Sequence, residues 1–153
     1  MQNCPFCNDA VRNSVFLSDD GFLALYNIAP VLPGHSLVIP EKHLISLFDL
    51  TGPEITRMFE TARKALRVLM TAFSTDAFDL SLQEKPEAGQ TIEHLHLHIV
   101  PRMKNDLKSP GDWYPMVADN DNAMIDSFSR PRLNDEAMSQ IVTELRKVTA
   151  SLF

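Results

Sequence analysis

Apolar residues recur along this chain in two rhythms, and the places where one gives way to the other mark its elements. From Phe22 to Asn27, and again from Ser36 to Ile39, the sequence is short, apolar and rich in strand formers. Pro30, Pro33 and Gly34 punctuate the stretch between them, so the pair predicts a hairpin with a long loop. Ala77 to Gln83 alternates Phe78, Leu80 and Leu82 with Asp79, Ser81 and Gln83, the period of two expected of a half-buried strand. Thr91 to Val100 continues the pattern, with Ile92, Leu95, Leu97 and Ile99 among polar neighbours, and predicts the antiparallel partner across a turn at Pro86 to Gly89. The rhythm changes between these strands. Thr51 stands three residues before Glu54 as in a capping box, and Ile55, Met58, Phe59, Ala62, Leu66, Leu69 and Met70 follow at helical spacing. A second helix is predicted over 134–152, with Met138, Ile141, Val142, Leu145, Val148 and Leu152 on one side. Met58, Met70 and Met138 read as core filler on these helix faces.

The pattern therefore predicts an α+β fold: an antiparallel meander of about five strands, one long helix packed on it, and a C-terminal helix. With no repeat and no low-complexity linker, 1–153 reads as a single domain with a core over about 4–102. The polar, Pro-interrupted stretch 103–133 is longer than an ordinary connection and reads as a lid, a partner-binding segment or a plain surface loop.

Composition narrows the class. A chain of 153 residues buries about two-thirds of its unfolded surface, so it needs no disulfide staples. Its 14 Lys+Arg stand against 20 Asp+Glu, a net charge of -6, and no basic run exists to hold a nucleic-acid polyanion. A single small anion remains compatible. Residues Met1 to Ala10 lack a basic start and apolar core, and no stretch approaches the roughly 20 apolar residues of a membrane span, so the expectation is a cytoplasmic protein with no membrane partner.

Chemistry concentrates at His94, His96 and His98, which a strand's period of two sets on one face. Two strand residues span roughly 6.5 Å, so neighbouring imidazoles can act on one ligand. Such a row can hold a metal with open coordination positions; alternatively, one neutral imidazole can attack phosphorus while its neighbours hold the oxygens. Immediately before it, Pro86 to Thr91 supplies a turn with Gly89, Gln90 and Thr91, which suits anion binding, and Gln83 adds an amide from the neighbouring strand. Neither a Walker A loop nor a G-x-G-x-x-G motif is present, and no organic cofactor is expected. Cys4-Pro5-Phe6-Cys7 reads as a redox pair, a zinc knuckle or two unrelated thiols. No strand precedes it, as one usually does in a redox motif, and closure of a zinc site would need two more ligands from the five histidines.

His94-Leu95-His96-Leu97-His98-Ile99-Val100 meets the His-x-His-x-His signature of the histidine triad (HIT) family, which the chain resembles over roughly Cys4 to Arg102. Tyr26-Asn27, Pro33-Gly34-His35, Ser36 to Pro40 and Gly89-Gln90-Thr91 extend the match, and Gln83 with Pro86 to Thr91 is most similar to the fragile histidine triad branch of dinucleoside polyphosphate hydrolases. The related uridylyltransferases carry Gln where this chain has His98, which favours water as final acceptor.

The resemblance implies that His96 is the nucleophile at the α-phosphorus, forming a nucleotidyl-histidine that water hydrolyses to a nucleoside monophosphate. It implies phosphate donors in His98, Gln83, Gly89, Gln90 and Thr91, ribose contacts from Asn27, and base contacts from Leu25 and Leu37, with His35 and His94 behind them. The substrates implied are adenosine dinucleotides such as diadenosine tri- and tetraphosphate, then phosphoramidates. A homodimer joined through the sheet edge and long helix is also implied. In relatives with the Cys pair, the remaining zinc ligands match His43 and His94, giving a structural zinc on Cys4, Cys7, His43 and His94; the fragile branch itself lacks these cysteines. The rival readings are a non-catalytic nucleotide-binding or sensing protein, a nucleotidyltransferase, a redox or metal-transfer protein, and a catalytic metal held by the three histidines. Trp113 and Tyr114 read as a stacking surface for a second base, or as a surface anchor or dimer contact. Arg102 meets phosphate or caps the sheet edge.

Overall fold

The structure, a computed structural model, describes residues 4–113 and 130–153. Its first hairpin pairs Val15–Asp19 (β1), a strand the hydrophobic pattern did not single out, with Phe22–Tyr26 (β2). Asp20 and Gly21 between them both take positive φ, 43° and 86°, which matches the two-residue turn whose twist suits the flanking strands. β2 then pairs in antiparallel register with Ser36–Pro40 (β3), from Phe22 opposite Pro40 to Tyr26 opposite Ser36. This is the predicted long-loop hairpin.

Gly34 closes that loop at a φ of 87°, and a Cβ there would run into the Pro101 ring, so only glycine lets the loop lie against the sheet. Its N–H donates to the Tyr26 hydroxyl (2.9 Å), which delivers the next residue, His35, to the buried end of β3.

Gly52–Phe73 forms the long helix α1, and the Glu54 carboxylate accepts from both the N–H (2.8 Å) and the hydroxyl (2.7 Å) of Thr51 at its start. Met58, Ala62, Ala65, Leu66 and Leu69 make its buried stripe and pack on β1, β2, β3 and Leu97–Arg102 (β5). Ala77–Leu82 (β4) pairs antiparallel with β5, which pairs on its other side with β3, giving the order β1-β2-β3-β5-β4. α1 thus carries the chain to the far edge, and β5 returns to fill the gap.

Two local expectations change. The strand predicted over Thr91 to Val100 begins only at Leu97. Before it, His94 N–H bonds Ile92 O (2.8 Å) and Leu95 N–H bonds Leu44 O (2.6 Å), so the backbone of this stretch is tied to its own turn and to the segment after β3, not to β4. β4 also buries less than its alternation suggests: Phe78 and Leu80 are 44% and 37% exposed, because β4 is the edge strand and α1 lies over the others.

Asp135–Leu152 forms the C-terminal helix α2 near the predicted bounds, and the Asn134 side chain caps it by accepting from Ala137 N–H (2.8 Å). Met138, Val142 and Leu145 join Met58, Leu69 and Ile99 in one core, with Met70 packed against it. Arg146 donates to Val15 O (2.8 Å) and Arg12 O (3.1 Å), holding β1 to α2. No described helix is long and apolar enough to cross a membrane.

Within 103–113 the loop is fastened to the sheet. Arg102 bonds Asp106 (2.8 and 2.9 Å) and Asp79 (2.7 Å), so it secures the edge between β5 and β4 and its guanidinium is committed to carboxylates, not phosphate. Trp113 is buried against Leu32 and Val100, which removes it as a stacking surface for a base; Tyr114 lies outside the described residues.

Candidate active site

His94, His96 and His98 enter β5 in an extended stretch whose alternate residues Leu95, Leu97 and Ile99 belong to the core. All three imidazoles are buried, and the rings of His96 and His98 meet edge to face with centroids 4.9 Å apart. What separates them is the anchor on one nitrogen of each ring. His94 Nε2 donates to Pro40 O (2.9 Å), which leaves Nδ1 bare. His96 Nδ1 donates to His94 O (2.7 Å), which leaves Nε2 bare. The third anchor is indirect. Val31 N–H donates to His35 Nδ1 (3.2 Å), so the His35 proton sits on Nε2 and is given to His98 Nδ1 (2.9 Å). His98 therefore carries its own proton on Nε2 and is a donor. Asn27 Nδ2, 3.4 Å from His35 Nε2, then faces another donor and makes no hydrogen bond with it.

Burial keeps these rings neutral. Desolvation lowers the pKa of His96 against the opposing pull of its bond to His94 O. His98 is pushed well down by desolvation, then by the charges of His35, His96 and Arg130. His35 falls to about 3 for the same first reason. A neutral imidazole with a bare nitrogen beside a neutral imidazole with an N–H is a nucleophile next to a hydrogen-bond donor.

A cavity of about 450 Å³ opens over His96 and His98. Gln83, Gly89 and Thr91 line it near the histidines; Asn27 lines it too, its side-chain oxygen accepting from Ala29 N–H (2.9 Å). Leu25 and Leu37 give it an apolar wall, against which Phe6 and Val11 of the N-terminal segment pack. The volume and the mix of apolar wall with few polar groups fit a small organic anion.

Two amides stand out. The Nε2 groups of Gln83 and Gln90 are buried with no hydrogen-bond partner among the described residues. Each unpaired buried donor costs about 1–3 kcal/mol, a cost an arriving acceptor removes. Gln90 does not line the cavity; its Oε1 accepts from Lys85 N–H (2.8 Å) across a turn in which Lys85 and Gly89 both take positive φ. His35 reaches the site only through His98. The sequence reading missed Arg130 and Arg132, which line the same cavity just ahead of the α2 cap, and Phe6, whose ring lies edge-on to both His94 and His96.

Cys4, Cys7, His43 and His94 converge on the other side of the histidine row, with one potential ligand atom of each within 4.8 Å of all the others. His94 Nδ1 lies 3.4 Å from Cys4 Sγ and 3.6 Å from Cys7 Sγ, and His43 Nδ1 lies 3.2 Å from Cys7 Sγ. A tetrahedral zinc site has an N···S edge of about 3.6 Å, which these distances match. The Leu95–Leu44 backbone bond explains the convergence, since it staples the neighbours of His94 and His43 together. Burial and the neighbouring Cys4 push the Cys7 thiol up, so a cation would supply the charge that two thiolates together require. This group of two thiols and two imidazoles can bind a metal.

The family model described as "HIT domain" matches residues 9–105. The chain is similar to an asymmetrical bis(5'-nucleosyl)-tetraphosphatase of Schizosaccharomyces pombe, 41% identical over 101 residues, covering 66% of this chain and 56% of that one. It is also similar to a bis(5'-adenosyl)-triphosphatase of Dictyostelium discoideum, 36% identical over 103 residues, covering 67% of this chain and 69% of that one. Set against the Schizosaccharomyces relative, then, it spans little more than half the length. Among solved structures, a zinc-bound histidine triad family protein from Mycobacterium smegmatis superposes with a TM-score of 0.72 at 24% identity, covering 99% of this chain and 96% of that one.

Proposed function

The chain belongs to the HIT domain family, and we propose that it hydrolyses dinucleoside polyphosphates at the α-phosphate through a nucleotidyl-histidine, acting as one domain over 1–153. The observation that carries this reading is the His96 Nδ1 bond to His94 O (2.7 Å), which leaves Nε2 bare where the ring borders the cavity. His96 Nε2 attacks the α-phosphorus, an N–P bond forms, and the P–O bond to the rest of the polyphosphate breaks. Water then attacks the same phosphorus, the N–P bond breaks with its electron pair returning to His96 Nε2, and a nucleoside monophosphate is released. His98 Nε2–H, Gln83 Nε2 and the Thr91 hydroxyl donate to the phosphate oxygens and the departing oxygen, and Gly89 and Gln90 hold the turn that presents them. Asn27 takes the ribose hydroxyls and Leu25 and Leu37 the base. The names of the two relatives support a nucleoside polyphosphate as substrate, and adenine is the favoured base.

Cys4, Cys7, His43 and His94 would hold zinc. Four protein ligands leave no open position, so the metal's contribution is structural, tying the N-terminal segment to the histidine row. His94 is thereby an orienting residue. Homodimerisation is supported by the open β4 edge with its exposed Phe78 and Leu80, and by Phe59 on α1, which is 47% exposed. The expected location is the cytoplasm.

The test is AMP release from diadenosine triphosphate, diadenosine tetraphosphate and adenosine phosphoramidate by wild type and by His96→Asn. Release by wild type alone, with a covalent label lost in the variant, is expected. Binding without release from any of them would leave a nucleotide-binding protein, and transfer of the nucleotidyl group to an acceptor other than water would make the chain a nucleotidyltransferase.

A further inference from the structure

The neutral state of the histidines raises a question of charge. Among the described residues His96 and His98 have no carboxylate partner; both are buried and take the phosphate as neutral rings, and Gln83 and Thr91 are neutral as well. A dinucleoside triphosphate nevertheless brings several negative charges. Among the described residues lining the cavity, three carry formal charge: Arg130, Arg132 and Asp135. A chain of net charge -6 therefore places two of its 14 basic residues at this one opening.

These cations are held by backbone. Leu133 N–H donates to Ile28 O (2.9 Å), next to Asn27 in the cavity wall, and Asn134 caps α2 immediately afterwards. Pro131 separates the two arginines and restricts the backbone between them. Arg130 is also near enough to the triad that its charge opposes protonation of both His98 and His35.

We propose that Arg130 and Arg132 form a leaving-group subsite for the phosphate chain beyond the α-phosphate, and that this pair selects dinucleoside polyphosphates over substrates with an uncharged leaving group. The inference rests on the hydrolase reading and deepens it. A planar guanidinium meets two phosphate oxygens at once, and its charge is always present. A phosphoramidate offers it nothing, since its leaving amine carries no negative charge. The arginines act on the part of the substrate that departs, and His96 does the same chemistry on either class.

The experiment compares wild type, Arg130→Gln/Arg132→Gln and Arg130→Lys/Arg132→Lys on diadenosine triphosphate and adenosine phosphoramidate. The ratio of the two kcat/KM values should fall by about tenfold or more in the glutamine variant and recover in part with lysine, which keeps charge but loses the fork. Raising salt should lower that ratio in wild type and leave it flat in the glutamine variant. In a His96→Asn background, the affinity for diadenosine triphosphate should fall about tenfold relative to that for AMP when the arginines are replaced. Equal losses on both substrates, or an unchanged ratio, overturn the subsite. Absence of AMP release by wild type overturns the hydrolase reading instead, and the binding ratio then decides the arginine pair by itself.

Discussion

Replacing His35 tests whether the proton on His98 is set from behind. In His35→Phe the ring volume is kept, while Val31 N–H loses its acceptor (3.2 Å) and His98 Nδ1 loses its donor (2.9 Å). The His98 nitrogen is buried and costs about 1–3 kcal/mol when left unpaired, whereas the Val31 N–H is only partly buried and costs less, so the variant should lose at least about 1–3 kcal/mol of stability. The kinetic effect has a separate origin. Without His35, His98 is free to place its proton on Nδ1, and Nε2 then presents a lone pair to the phosphate oxygens. Loss of one donor to developing charge is worth about 3 kcal/mol, or on the order of 100-fold in kcat. The assay is single-turnover AMP release from diadenosine triphosphate, with nitrogen NMR of labelled histidine reading the tautomer directly. Wild type should show His98 protonated on Nε2 and His96 on Nδ1. A wild-type His98 protonated on Nδ1, or a folded His35→Phe with unchanged kcat, would refute the relay.

Other perturbations separate the remaining parts. Stripping the proposed zinc with a chelator, or Cys7→Ser, should lower Tm by about 10 °C and weaken nucleotide binding together, because Phe6 lies between the two cysteines and its ring sits 5.5 Å from His94 and 5.6 Å from His96; loss of stability with unchanged affinity would uncouple the two sites. Gln83→Leu removes a buried amide whose Nε2 has no hydrogen-bond partner among the described residues, so it should raise stability by about 1 kcal/mol while lowering kcat about 100-fold, measured by urea titration and AMP release; a destabilised variant would mean the amide is satisfied in the free protein. His35 has a folded pKa near 3 against an ordinary 6.5, so between those values the unfolded chain binds more protons. Its contribution is complete above about pH 6.5 and is lost at about 1.4 kcal/mol per unit as pH falls toward 3, with His98 acting in the same direction. Urea titrations at pH 7, 5.5 and 4.5 should show that decline, and stability that is flat from 7 to 5 would count against buried neutral rings.

Hydrophobic period located the elements that bury one face. α1, α2 and the β2–β3 hairpin stand where their patterns end, and the Thr51–Glu54 pair marks the first helix to within a residue. β1 escaped because its first three residues are all buried, Val15, Phe16 and Leu17, so no alternation shows; the signal that would have found it is Asp20-Gly21, a two-residue turn just before Phe22. The late start of β5 was illegible for a different reason. An extended chain reads the same in sequence whether its hydrogen bonds go to a neighbouring strand or, as at Leu95, to the passing segment after β3. Of the residues at the cavity, His96, His98, Gln83 and Thr91 could be picked out by spacing and residue type, and Asn27 only through the family resemblance. Arg130 and Arg132 were not, since two arginines in a long polar stretch look solvated until the bond from Leu133 N–H to Ile28 O brings their segment to the cavity.

Three histidines at identical spacing are anchored in three different ways, and the anchors set what each ring can do. A carbonyl at Pro40 takes the Nε2 proton of His94 and turns Nδ1 toward two thiols. The carbonyl of His94 itself takes the Nδ1 proton of His96 and leaves the opposite nitrogen bare. His35 gives a proton to Nδ1 of His98 and so forces the opposite nitrogen to donate. Because His94 is shared, its backbone orients the proposed nucleophile while its ring belongs to the metal group. Movement of one shifts the other, so zinc in the proposed site of Cys4, Cys7, His43 and His94 would bear on the proposed chemistry at His96. Sequence spacing delivers the three rings to one stretch; two backbone carbonyls and the His35 ring behind them set which nitrogen of each is bare and which carries the proton, and the proposed roles of ligand, nucleophile and donor rest on that difference.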